Sequence, residues 1–238
     1  MKFLTIDTTT KVTALALAEA GSVVAEGFLH TRKTHSERLL PMLDQLLTAA
    51  DWKLKELGFI GVVRGPGSFT GIRIGLATAQ GMAQVLNLPL VGVLSLDALA
   101  WAGWGRSELI VPLLDARKHE WYTAAYRFDD MTQRPERVLP PQASAPAEWV
   151  LRLADMGERI LFVGDAVTPY EDYLHQALGD RLVILPEYVR LPRGAYTVQA
   201  VWQKWLADPQ GERVEPYYIR KSEAEVNWER KFGGKQDD

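Results

Sequence analysis

The pattern of apolar and polar positions along the chain predicts two copies of one arrangement of strands and helices. An apolar strand that ends in an acid, Lys2–Asp7, is followed by a turn and two further strands. Leu109–Asp115 begins the same order again in the second half of the chain. Alternating helices and strands follow each set, which implies mixed sheets with helices packed against them. The pattern therefore predicts an α/β protein of two related lobes, each a mixed sheet flanked by helices.

The boundaries of the elements follow from the change between alternating and helical periodicity. We place the first lobe at 1–104, the second at 105–220 and a polar, flexible tail at 221–238. The proline-rich stretch 129–147 is interpreted as an irregular surface connection, although 137–139 could form a short strand. The predicted strands are 2–7, 12–19, 22–30, 59–63, 89–94, 109–115, 120–128, 159–163 and 182–185, and the predicted helices are 36–52, 71–87, 145–156, 169–178 and 195–206.

A glycine-dense run, Arg64–Gly75, lies between a predicted strand and a predicted helix. A helix that starts after a glycine turn can present backbone N–H groups to an anion. However, no Gly-Lys-Ser/Thr follows the turn, and Gly71 comes one residue too late for the dinucleotide-binding glycine pattern. Two interpretations remain open: a phosphate-binding loop, and a turn that only redirects the chain, with Ser68 or Thr70 as the cap of the helix.

Two helices of the first lobe are more widely apolar than a surface helix requires. The apolar and small residues of 71–87 cover about 220° of its circumference, where somewhat over ~100° is enough to face a core. Those of 36–52, which begins after a Thr34–Glu37 capping-box pattern, cover about half. Either both helices have wide core faces, or each packs on its own sheet and on a partner chain. The second interpretation gives the candidate interface Leu39, Met42, Leu46, Arg73, Gly75, Leu76, Ala79, Gln80 and Ala83.

On this second interpretation, the small residues of helix 71–87 are the positions at which another backbone approaches. Replacing Gly75 or Ala79 with leucine is then expected to break association and to leave a folded monomer. Arg73 is expected to pair with an acid at the interface or to lay its stem over the helix.

Composition narrows the function classes. The 238 residues include no cysteine, which excludes disulfides and thiolate metal sites and fits a reducing compartment. The net charge of −3 argues against the chain holding RNA or DNA alone. No run of 18 apolar residues occurs, and the acid at Asp7 comes too early for a secretory signal. We therefore expect a cytoplasmic protein that binds no membrane.

The chemistry-bearing residues do not form a catalytic set. Asp7 and Asp115 end equivalent strands, where an aspartate can hold Mg²⁺ and a nucleotide or simply bond the backbone of its own turn. The sequence predicts no metal site, because no two of the four histidines are four residues apart, and it predicts no nucleophile elbow. The four histidines are His30, His35, His119 and His175. We interpret His30 and His35, which flank a predicted strand–helix junction, as surface or capping residues.

Several motifs together resemble the TsaB family, also called YeaZ, over nearly the whole chain. They are Ile6-Asp7-Thr8-Thr9, the run Arg64–Gly75, Asp115-Ala116-Arg117 with Glu120 and Tyr122, and Pro216-Tyr217-Tyr218-Ile219-Arg220. The resemblance implies a two-lobed actin-like/heat-shock-ATPase (ASKHA) fold. It also implies a role in making threonylcarbamoyladenosine beside the anticodon of tRNA.

The same resemblance implies a non-catalytic scaffold rather than an enzyme. Such a subunit pairs with the catalytic paralogue TsaD, is joined by the ATPase TsaE, forms homodimers when alone and meets tRNA only through the complex. It needs no cofactor, although a residual nucleotide or Mg²⁺ at Asp7 and Asp115 is compatible with the sequence. The alternative is an independent ATPase or small-molecule kinase of the actin-like fold that uses these two acids.

Overall fold

The computed structural model describes residues 1–31, 34–129, 131–211 and 213–220, and two five-stranded mixed sheets form its centre. The first sheet has the order β3-β2-β1-β4-β5 and the second the order β8-β7-β6-β9-β10, so equivalent strands occupy equivalent places. In each sheet the first three strands pair antiparallel and the last two parallel. The predicted duplication is confirmed. The strands are β1 (Lys2–Asp7), β2 (Val12–Glu19), β3 (Ser22–His30), β4 (Leu57–Val63), β5 (Leu90–Val93), β6 (Leu109–Asp115), β7 (Trp121–Phe128), β8 (Pro135–Ser144), β9 (Ile160–Val163) and β10 (Leu182–Ile184).

Seven α-helices are found among the described residues, and they form layers on both faces of each sheet. They are α1 (His35–Ala49), α2 (Phe69–Leu86), α3 (Ser95–Ala100), α4 (Pro146–Ala154), α5 (Glu171–Leu178), α6 (Glu187–Arg190) and α7 (Gly194–Ala207). Helices α1 and α2 cover the outer face of the first sheet, and α4 and α5 cover that of the second. Between the sheets lie α3 and α7, which contact each other.

Each of the two inner helices packs on the sheet formed by the other half of the chain. Helix α7 packs on the first sheet, where Trp205 stacks on Phe59 with 4.2 Å between ring centroids. Helix α3 places Leu96 and Leu99 against the second sheet. The simple division at residue 104 is therefore corrected, because each lobe completes its core with a helix from the other half of the sequence.

Strand β8 differs from the irregular connection expected over 129–147. It pairs with β7 at the edge of the second sheet, in a register that passes from Ala125↔Leu139 to Thr123↔Gln142. The shift leaves Pro140 and Pro141 in a bulge. Proline is tolerated at sheet edges and bulges because its missing N–H need not complete the ladder.

The ends of the two outer helices are set by different groups. At α2, Ser68 Oγ accepts a 3.3 Å hydrogen bond from the Gly71 N–H, and Asn87 ends the helix in the left-handed conformation, close to the predicted bounds. At α1, Thr34 is the N-cap, but its side chain makes no capping bond, so the capping-box prediction is wrong in that respect. Instead, the Thr34 carbonyl accepts from the Glu37 N–H at 3.2 Å.

Two further predictions concern the C-terminal tail and membrane-spanning helices. The predicted polar tail, 221–238, lies outside the described residues. In the part of the chain that the structure describes, no helix is both long enough and apolar enough to cross a membrane.

Candidate functional site

The glycine-dense run packs tightly on the turn between β1 and β2. The Ser68 N–H donates to the Thr9 carbonyl at 2.7 Å, and the Thr8 hydroxyl donates to the Gly71 carbonyl at 2.7 Å. A Cβ added at Gly71 would lie 1.9 Å from the Thr8 carbonyl oxygen. Because the Ser68 and Gly71 N–H groups are both bonded within the protein, the geometry favours the turn interpretation over a phosphate-binding loop.

Asp7 is buried behind this turn rather than presented to solvent. Its Oδ1 accepts hydrogen bonds from the Thr9 N–H at 2.9 Å and the Thr9 hydroxyl at 2.7 Å. Burial raises the pKa of Asp7, and these bonds and the nearby His35 oppose the rise. Of the two roles left open for Asp7, the contacts are those of an acid that fixes its own turn.

His35, interpreted from the sequence as a surface or capping residue, is partly buried at the start of α1. Its Nε2 lies 2.8 Å from the Thr10 carbonyl oxygen, and its Nδ1 lies 2.7 Å from the Thr13 hydroxyl. A carbonyl only accepts, so Nε2 carries a proton and donates it to Thr10. Both nitrogens are thus bonded within the protein, and among the described residues no cluster of three or more His, Cys, Asp or Glu side chains could hold a metal ion.

Asp115, at the equivalent turn of the second lobe, has a partner that the sequence analysis missed. The Asp115 side chain is 54% exposed, and its Oδ1 accepts from the Arg117 N–H at 2.8 Å. The Asp115 N–H itself donates to Asp165 Oδ1 at 3.4 Å. Asp165 lies two residues after the end of β9, next to Gly164. An acid that follows a third apolar strand was therefore the sequence signal that could have revealed this partner.

The environment of Asp165 favours its protonated form. Burial raises its pKa to about 6; the Asp115 N–H bond opposes this rise, and the Asp115 carboxylate adds to it. Lys11, from the turn of the first lobe, is near enough to lower this pKa, so charges from both lobes meet here.

Replacing Asp165 with asparagine should stabilise the protein at neutral pH. The folded state holds the Asp165 proton more tightly than the unfolded chain does, so stability falls as pH rises from about 4 to about 6. Asp165→Asn should raise the free energy of unfolding at pH 7 by up to about 3 kcal/mol. The gain should be small at pH 4. Urea unfolding at both pH values checks this, and an equal gain at the two would contradict it.

Most of the predicted interface residues lie in the core of the first lobe. The side chains of Leu39, Met42, Leu76, Ala79 and Ala83 are buried against the first sheet, and Leu46 is partly buried there. Gly75 also faces inward, since a Cβ on it would lie 2.4 Å from the Thr8 hydroxyl oxygen. The core needs the small residues because the β1–β2 turn comes so close. The expected folded monomer of Gly75→Leu is therefore corrected: that variant should disrupt the lobe itself.

The outward faces of α1 and α2 carry a different set of residues. Leu40 is 56% exposed and Val85 is 85% exposed. Ala77 is also exposed, and a Cβ on Gly81 would meet nothing within 4 Å. We call five of the exposed residues of these two helices the outer helical face: Leu40, Asp44, Ala77, Gly81 and Val85.

Arg73 and Gln80, the remaining two candidates, are held by residues 213–220. The Arg73 Nε donates to the Tyr218 hydroxyl at 3.1 Å, a contact that the sequence analysis did not expect. The Gln80 amide donates to the Val214 carbonyl at 2.9 Å. Tyr218 also stacks on Phe69, with 4.6 Å between ring centroids. This segment therefore borders the outer helical face, a contact that no local pattern in the sequence indicates.

Comparison with known proteins first defines the class. Component A of (R)-2-hydroxyglutaryl-CoA dehydratase from Acidaminococcus fermentans has the same fold at 10% identity, with a TM-score of 0.50 over 86% of this chain and 98% of that one. Two duplicated mixed sheets with helices on both faces are the actin-like, or ASKHA, architecture, as expected. The family model described as TsaD: tRNA N6-adenosine threonylcarbamoyltransferase matches residues 22–228.

Similarity over nearly the whole chain then identifies the family within this class. The tRNA threonylcarbamoyladenosine biosynthesis protein TsaB of Bacillus subtilis is 33% identical over 228 residues, covering 96% of this chain and 98% of that protein. YeaZ from Pseudomonas aeruginosa superposes with a TM-score of 0.74 at 25% identity, covering 91% of this chain and 99% of that one. The chain belongs to the TsaB (YeaZ) family.

Proposed function

We propose that this chain is a non-catalytic scaffold subunit for threonylcarbamoyl transfer to the adenosine beside the anticodon of tRNA. It pairs with a catalytic TsaD, and TsaE joins the pair in the cytoplasm. The observation that carries the proposal is the end-to-end similarity to Bacillus subtilis TsaB. The transfer itself belongs to the partner, and tRNA reaches this chain only within the complex.

The contacts of the first turn support a structural role for this lobe. Asp7 Oδ1 accepts two hydrogen bonds from Thr9, and the Ser68 and Gly71 N–H groups are bonded within the protein. An enzyme that transfers phosphate needs such groups free to organise a metal ion and to stabilise developing charge. Here the same motif positions α2 instead.

The outer helical face supports the pairing. Leu40 and Val85 are large exposed apolar side chains that a partner chain can cover. Small residues beside them, such as Gly81, let a partner helix approach closely. A two-helix face that meets its own copy forms a four-helix arrangement with twofold symmetry. TsaD, as a paralogue, takes the place of the second copy, so the homodimer and the heterodimer use one surface.

Light scattering after size exclusion tests the proposal directly. The chain alone should run as a homodimer, and addition of the TsaD of the same organism should convert it to a heterodimer of one copy each. A mixture that elutes as two separate species would overturn the proposal. So would turnover of ATP by the chain alone that is lost in Asp7→Asn, since that result would identify an independent enzyme.

A further inference from the structure

The turn between β6 and β7 carries three adjacent side chains that are cationic or can become so. They are Arg117, Lys118 and His119, which we call the basic turn, and all three are exposed. The equivalent turn of the first lobe begins with three buried threonines, and the glycine-dense run packs on it. The protein therefore covers one of two equivalent turns and leaves the other open.

The backbone of the basic turn is strained. Arg117, Lys118 and His119 have φ angles of 63°, 53° and 58°. Residues other than glycine enter this left-handed region at a cost, and usually as single residues rather than three in succession. Strain of this kind persists where the surrounding structure imposes it, and it clusters at functional sites. The chain thus keeps three polar side chains where glycine would suit the backbone better.

Hydrogen bonds and an ion pair hold the base of the basic turn in place. The Ala116 N–H donates to the Glu120 carbonyl at 3.0 Å, and the Glu120 N–H donates to the Arg117 carbonyl at 3.1 Å. Arg220 forms an ion pair with the Glu120 carboxylate, and its Nη1 donates to the Ala116 carbonyl at 3.4 Å. The base of the turn is therefore fixed while its tip projects into solvent.

The side chains of the basic turn bind little within the protein. Neither Lys118 nor His119 makes a side-chain hydrogen bond or ion pair to another residue that the structure describes. Arg117 Nη1 lies 3.9 Å from Asp115 Oδ2, and the Arg117 side chain is 77% exposed. An ion pair that is so long and so exposed contributes little to stability. The basic turn is therefore open to an external anion.

The segment 213–220 places the basic turn beside the outer helical face. Tyr218 stacks on Phe69 at the start of α2, and Arg220, two residues later, bonds the base of the turn. Two residues of extended chain span about 7 Å at most. The outer helical face begins on α2 at Ala77, eight residues after Phe69 and about 12 Å along the helix. The basic turn therefore lies near the rim of that face rather than within it.

We infer that the basic turn binds phosphates of the tRNA backbone when this chain is paired with TsaD. The inference rests on the proposed function, which brings tRNA to the pair. An RNA strand suits adjacent cations because every nucleotide carries a phosphate, and each contact releases condensed counterions. Such contacts add affinity without reading the base sequence. A chain of net charge −3 cannot hold tRNA through so few contacts alone, but they strengthen a site that the partner completes.

Fluorescence anisotropy of labelled tRNA, titrated with the complex of the full chain and TsaD, tests the inference. The double variant Arg117→Gln/Lys118→Gln should pair with TsaD as the wild type does, because the turn lies outside the outer helical face. Its complex should bind tRNA at least tenfold more weakly. The slope of log Kd against log salt concentration should become shallower by about 1.4 to 1.8, because two phosphate contacts are lost.

Arg127→Gln/Arg159→Gln is the matched control, because it removes the same charge from the opposite end of the second sheet. Arg159 directly precedes β9, whose first residue pairs with the first residue of the parallel strand β6. Arg127 follows Tyr126, the partner of Ile110, at the same end. The length of β6 separates this end from the basic turn by about 20 Å. The control should bind tRNA within about twofold of the wild type, with the same salt dependence.

The outcomes separate the inference from the proposed function. Equal tRNA affinity of the variant and wild-type complexes would overturn the inference and leave the scaffold function in place. An equal loss of affinity in the variant and the control would also overturn it, since only net charge would then matter. If the variant alone fails to pair with TsaD, the basic turn binds an acidic surface of the partner instead of tRNA.

Two further results bear on the inference. Failure of the wild-type chain to pair with TsaD would overturn the proposed function, and the inference with it. If the double variant does not fold, Lys118→Gln alone decides the test. Its complex should still bind tRNA more weakly than the wild type does, with a salt dependence shallower by about 0.7 to 0.9. An unchanged salt dependence would overturn the inference.

Discussion

Replacing Gly71 with alanine is expected to lower the free energy of unfolding by about 3 kcal/mol or more. Glycine to alanine inside a helix normally stabilises by about 0.5–1 kcal/mol, because alanine restricts the unfolded chain. At Gly71 the substitution is instead expected to destabilise the protein, since the new Cβ would lie 1.9 Å from the backbone oxygen of Thr8. A backbone oxygen in a buried turn cannot move aside as a flexible side chain can.

Gly81 provides the matched control on the same helix. A Cβ there would meet nothing within 4 Å, so Gly81→Ala should raise the free energy of unfolding by about 0.5–1 kcal/mol. Urea denaturation of both variants measures the difference. Unfolding of Gly71→Ala at the same urea concentration as the wild type would show that α2 does not pack on the β1–β2 turn as described.

The second large effect is expected at the outer helical face. Ala77→Arg should weaken association with TsaD at least a hundredfold, about 3 kcal/mol, because a long charged side chain would be buried unpaired between the two chains. Ala77 is exposed in the single chain, so the fold of each subunit should stay that of the wild type. The homodimer should weaken with the heterodimer, because both use this face.

Ala177→Arg is the control for this experiment. Ala177 is also an exposed alanine on a helix, but α5 lies on the second sheet, away from α1 and α2. Surface plasmon resonance against immobilised TsaD, with circular dichroism of each variant, separates association from folding. Equal affinities for the two arginine variants would remove the outer helical face as the docking surface.

Much of the fold could be predicted because its strands have local signatures. The buried strands that end in Asp7 and Asp115 are apolar runs of strand length, and their repetition revealed the two lobes. The exchange of α3 and α7 between lobes could not be predicted. Either helix presents an apolar face that suits either sheet, and only the path of the chain in space decides between them.

The same limit explains why most residues expected at an interface lie in the core. Helix α2 is apolar over so much of its circumference that periodicity leaves its inward side undefined. The close approach of Thr8 assigns Gly71 and Gly75 to the core, and this contact joins positions far apart in the sequence. Asp165 was missed for a similar reason, since its meeting with Asp115 depends on the pairing of β6 with β9.

The most direct measurement of the central claim is tRNA threonylcarbamoylation in a reconstituted mixture. TsaD, TsaE, ATP, the activated threonylcarbamoyl donor and tRNA are incubated with and without this chain, and modified adenosine is quantified by mass spectrometry of the digested tRNA. The scaffold account predicts modification only when the chain is present, and its loss with Ala77→Arg but not with Ala177→Arg. Equal modification without the chain, or modification by the chain in the absence of TsaD, would contradict it.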